Sequence, residues 1–63
     1  MFTCLDARKL ILNTHRDLQK KGYSFNKECI IRNCKLNLKE SHYMEQLKTL
    51  NFVIENEWNN IFK

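Results

Sequence analysis

Apolar residues recur at helical intervals through most of the chain. The clearest case is YMEQLKTLNFVIENEWNNIF, Tyr43 to Phe62. At roughly 100° per residue, Tyr43, Leu47, Leu50, Ile54, Trp58 and Ile61 fall in one narrow stripe, with Met44 and Phe62 beside it. Glu45, Lys48, Thr49, Glu55, Asn56 and Asn59 lie on other faces. The stripe passes Asn51 without a change of period. That predicts a single amphipathic helix of about five turns, helical throughout from Tyr43 to Ile61. Its start falls between Leu38 and Ser41. Asn37 with Glu40 three places later fits a capping box, and Ser41 is a later alternative cap.

A first helix is predicted from about Cys4 to Lys21. Thr3 is its N-cap, and Asp6 sits in the first turn, where a carboxylate suits the helix dipole. Gly22 stands where the chain must turn left-handed to leave the helix. Tyr23 and Leu18 would then form the apolar pair of a Schellman ending. Cys4, Ala7, Ile11, Thr14 and Leu18 share one face. Leu5 and Leu12 form a second patch about a third of a turn away, with Arg8 and His15 between. Two patches predict two neighbours. A short middle helix runs from about Asn26 to Lys35, capped by Ser24 or Asn26, with Cys29, Ile30, Asn33 and Cys34 on one side. A strand competes there, because CKLNLK alternates from Cys34 to Lys39.

These elements predict an all-α fold, one domain over residues 1–63. It is a small three-helix bundle whose long first and third helices pack together. With 63 residues the chain buries only roughly 60% of its unfolded surface, so stability is marginal and a homodimer is the alternative. Composition agrees with a folded helical chain. Apolar residues make up 43% and charge is mixed, which argues against disorder. One Gly and no Pro leave little turn chemistry for an all-β fold. No run of about 18 apolar residues exists to span a membrane. The start MFTCLDARKL places an acid where a signal peptide is basic and then apolar, so an intracellular, cytoplasmic protein is expected. Abundant Asn and Lys suggest an AT-rich genome such as that of a phage or plasmid, in which case the site of action is the host cytoplasm.

Chemistry adds little. Cys4, Cys29 and Cys34 read as reduced, structural thiols. Zinc would draw on them and on His15 and His42, but only Cys29 and Cys34 approach ligand spacing, and on a helix they point about 140° apart. A Cys–His nucleophile needs a base, an orienting group and an oxyanion hole that nothing here assembles. Neither enzyme activity nor a cofactor or metal is expected.

Binding is the remaining class. Net charge is +4, which favours acidic partners, protein or nucleic acid. The spacing Leu36, Leu38, Tyr43, Leu47, Leu50 resembles the core of a helix-turn-helix. That resemblance implies base contacts from Lys39, Glu40, His42 and Gln46, and phosphate contacts from Lys27, Arg32, Lys35 and Lys48. It lacks the turn glycine, and its recognition helix carries Glu40 and Glu45, which would repel phosphates. The other reading is a protein surface. Phe52 lies opposite the stripe, Trp58 lies near its end, and Lys9, Arg16 and Lys20 line one side of the first helix. Buried aromatics anchor protein interfaces, and a cationic strip steers toward an acidic surface. The expected function is therefore a small regulator or inhibitor that binds a larger protein. A DNA-binding regulator is the alternative.

Overall fold

The computed structural model describes residues 1–22 and 26–62. Three helices carry the fold: α1 (Cys4–Lys21), α2 (Lys27–Leu36) and α3 (Tyr43–Ile61), the last preceded by a 3₁₀ turn at Glu40–His42. No strand occurs among the described residues, and Cys34 to Leu36, the start of the alternating stretch, is helical.

Local chemistry sets the ends of α1. The Asp6 N–H donates to Thr3 Oγ1 (3.3 Å), and the Thr3 N–H donates back to Asp6 Oδ2 (2.9 Å). This reciprocal box satisfies two backbone donors that the helix leaves open. The Thr3 backbone bond, then its hydroxyl, hold the Asp6 carboxyl below its ordinary pKa. At the other end Gly22 takes φ 75°, and its N–H donates to the Gln19 carbonyl (3.2 Å). A side chain at that φ would be strained. The proposed Tyr23 contact and the Ser24 cap lie outside the described residues. Asn26 caps α2, its Oδ1 accepting from the Cys29 N–H (2.8 Å).

The entry to α3 differs from the sequence reading. Asn37 does not cap it. Instead Asn37 ends α2, its N–H donating to the Cys34 carbonyl (3.1 Å) and its side-chain amide to the Asn33 carbonyl (3.0 Å). Ser41 sits inside the 3₁₀ turn. The Lys39 N–H is held by Gln46 Oε1 (2.9 Å), a group seven residues further on that has already entered α3. The joint is thus tied from the helix side.

Ala7, Ile11 and Leu18 of α1, Ile30 and Cys34 of α2, and Leu50, Val53, Ile54 and Ile61 of α3 form one core. Helix α1 is the common element, packing against both others. Arg8 pairs with Glu57, and the His15 ring lies 4.9 Å from that of Phe62, so α1 and α3 ascend together. Thr14 is buried, but its hydroxyl accepts the Cys34 thiol at 3.4 Å, so the polar atom is partnered. Burial raises the Cys34 pKa.

Four positions depart from the helical wheels. Val53 is wholly buried although the predicted stripe omits it, so α3 is rolled toward that residue. Cys4 is exposed because it stands in the first turn, outside the overlap of the helices. Leu5 and Leu12 are also exposed, because α1 meets both neighbours through its main face and, toward α3, through Arg8 and His15 beside it.

Candidate partner-binding surfaces

On α3, the side chains at 50 and 52 have opposite fates. Leu50 is fully buried, while the larger Phe52 is 54% exposed. Two residues apart on a helix is about 200°, so burying one turns the other outward. The Phe52 carbonyl accepts from the Asn56 side-chain amide (2.9 Å).

Trp58 is half-buried and packs against the core. Phe62 meets it edge-on at 5.0 Å, and Lys27 Nζ lies 5.4 Å from its ring centroid. The geometry is that of a cation–π contact. It ties the start of α2 to the end of α3, and it engages a lysine to which the helix-turn-helix resemblance gives a phosphate contact.

Lys9, Arg16 and Lys20 are all exposed on the outer side of α1. Among the described residues no ion pair holds any of them; the one bridge joins Arg8 to Glu57. The exposed Leu5 and Leu12 lie among these cations. Sequence reasoning assigned both leucines to a helix contact. Periodicity reports that a patch is apolar, but not which patch a neighbouring helix covers.

The residues of the DNA reading are dispersed. Arg32 and Lys35 are exposed on α2 and Lys48 is exposed on α3. Lys39 and His42 stand in the joint, and Gln46 spends its amide oxygen on Lys39. Of the five apolar positions, Leu50 is buried, Tyr43, Leu47 and Leu38 are half-buried, and Leu36 is 78% exposed. Residues 37–42 separate α2 from α3. A helix-turn-helix uses a turn of about three to four residues.

An open hollow of about 460 Å³ lies between the α1 cap and the joint, lined in part by Phe2, Asp6 and Gln46. Two of its polar groups are already used, Asp6 by Thr3 and Gln46 by the Lys39 N–H. Among the described residues no three His, Cys, Asp or Glu side chains gather to hold a metal ion. No helix among them is long and apolar enough to cross a membrane.

No protein-family model matches the chain, and neither a curated protein nor a solved structure is significantly similar to it. The functional reading therefore rests on the surfaces themselves.

Proposed function

We propose that this chain is a small non-enzymatic regulator or inhibitor that acts by binding a larger protein through the outer faces of its helices. One observation carries the reading. Large apolar side chains stay open on the helix faces, Phe52 on α3 and Leu5 and Leu12 on α1, the latter two beside Lys9 and Arg16, which no ion pair holds among the described residues. A single exposed apolar residue is ordinary. Several of them, with exposed cations beside the pair on α1 of a chain this small, suit a surface completed by a partner with acidic groups. A phage- or plasmid-encoded protein acting on a host component fits the composition.

The DNA-binding alternative draws on the net charge of +4 and on Lys27, Arg32, Lys35, Lys39 and Lys48. The long joint and exposed Leu36 weigh against it. Affinity capture on the immobilised protein, with and without nuclease, separates the two. The expected result is a protein retained after nuclease and lost with Phe52→Ala. Retention that vanishes with nuclease, or that leaves only nucleic acid on the column, overturns the proposal.

A further inference from the structure

We infer that the outer flank of α1 is a docking seam for an acidic amphipathic helix of a protein partner; this rests on the protein-binding reading above and names the partner's chemistry. The seam is Leu5, Lys9, Leu12, Arg16 and Lys20, spaced four, three, four and four residues apart. Leucines and cations each repeat at seven. The seven-residue intervals from Leu5 to Leu12 and from Lys9 to Arg16 keep one face toward a neighbouring helix, with the apolar residues as knobs and the cations at their flank; Lys20 extends the cationic edge by one further turn.

The seam is open. Leu5 is 57% exposed and Leu12 39%. Arg8 and His15, one step round α1, reach Glu57 and Phe62 of α3. On the far side of α1, Thr14 meets Cys34 of α2. Neither neighbour extends to the seam, so a further helix can lie there, beside the edge that α1 shares with α3.

Charge decides the occupant. The seam itself carries no carboxylate; Asp6 and Asp17 stand at its edge, three residues from Lys9 and Lys20 and roughly 60° round the helix from them. A second copy of this chain would set Lys9 and Arg16 against their equivalents, and like charges at such flanks repel. A phosphate backbone would leave the leucines unused. A membrane surface favours a broad apolar face, whereas this one is a single file. A helix with its own apolar file flanked by Glu or Asp satisfies both the leucines and the cations.

The test uses a hydrocarbon-stapled, fluorescein-labelled peptide of about four turns. Leu occupies its a and d positions and Glu its e and g positions. Comparison probes are the same peptide with Lys at e and g, a shuffled peptide of equal composition, a short DNA duplex, and phosphatidylserine vesicles. Anisotropy is read for the wild type, for Leu5→Gln with Leu12→Gln, and for Lys9→Glu with Arg16→Glu. The acidic peptide should bind tightest and weaken as salt rises. Each double variant should lose about tenfold or more, with helicity retained in circular dichroism. If the leucine pair lowers helicity, the charge-reversal pair decides. Equal binding of the shuffled or lysine peptide, unchanged affinity in the variants, or tighter binding of DNA or vesicles overturns the seam. A captured protein that ignores changes at Leu5 and Leu12 but needs Phe52 removes the seam and leaves the protein-binding reading intact. Peptide binding at the seam with no captured protein does the reverse.

Discussion

Leu50 and Phe52 give the sharpest test of how α3 is set, because size and consequence run in opposite directions. Leu50 is fully buried in the core, so Leu50→Ala loses transfer energy and leaves a cavity, at about 2–5 kcal/mol. A chain of this length has roughly 3–9 kcal/mol of stability in all, from about 0.05–0.15 kcal/mol per residue. The substitution therefore removes much or all of it. Phe52→Ala deletes a larger side chain but one that is 54% exposed. Exposed substitutions usually fall within about ±0.5 kcal/mol. Alanine is also the better helix former by roughly half a kcal/mol, which offsets the small loss of contact. In thermal unfolding followed by far-ultraviolet circular dichroism, about 1 kcal/mol shifts Tm by about 4–8 °C for a domain this small. Phe52→Ala should melt within a few degrees of wild type. Leu50→Ala should melt about 10 °C lower or more, or show no cooperative transition. Equal destabilisation by both changes, or a neutral Leu50→Ala, would mean that α3 presents another face and would refute the packing. Running the wild type at several concentrations completes the test: a Tm that rises with concentration would show that a homodimer supplies part of the stability.

Other consequences follow from single contacts. Thr3→Ala opens the box at the start of α1 and should cost about 0.5–2 kcal/mol in urea unfolding, with fraying confined to the first turn in amide exchange. Asp6 has a lowered pKa in the folded state, so its contribution is present above the ordinary carboxylate value and is lost as pH falls through the lowered one. Asp6→Asn should be less stable than wild type at neutral pH and should lose less on acidification; parallel pH curves would rule this out. Cys34 behaves in the opposite sense, because its folded pKa is raised. Stability is full below the unfolded thiol's pKa and declines as pH rises from there through the folded value, so wild type should lose more than Cys34→Ala above about pH 9. Iodoacetamide should label Cys4 first and Cys34 only on unfolding, given their exposure and burial; prompt labelling of Cys34 would contradict the core.

What could be read from the sequence was local. The Thr3 cap, the left-handed Gly22 and the Asn26 cap, one of the two offered for α2, all depend on residues within a turn of each other, and each forms as the spacing suggests; the return bond from Thr3 to Asp6 is added by the structure. The start of α3 was illegible because its key bond joins Lys39 to Gln46, while Asn37 satisfies two roles in sequence and only one in space. The long stripe gave α3 its length, yet not its roll: Val53 is buried because α1 approaches from that side, a fact about a partner helix rather than about period. The same limit hid the seam. Leu5 and Leu12 look like core residues until the neighbours are counted. Of the candidate surface residues, the outward position of Phe52 followed from the position of Leu50. The contact of Trp58 with Lys27 needed the fold, since it joins the start of α2 to the end of α3, whereas Phe62 is only one turn away from Trp58.

The central claim is that binding runs through helix faces to protein, and one titration tests it most directly. The protein captured after nuclease treatment is titrated with wild type, Phe52→Ala, and Lys35→Ala with Lys39→Ala, at low and high salt. A duplex DNA is titrated in parallel. Truncation at a desolvated hot spot costs about 2 kcal/mol or more, roughly thirtyfold in affinity. The account predicts that loss for Phe52→Ala against the protein, little change for the lysine pair, and weak DNA binding throughout. Duplex DNA bound more tightly than the protein, with an affinity that falls steeply with salt and a slope flattened by the lysine changes, would contradict it and establish DNA as the target.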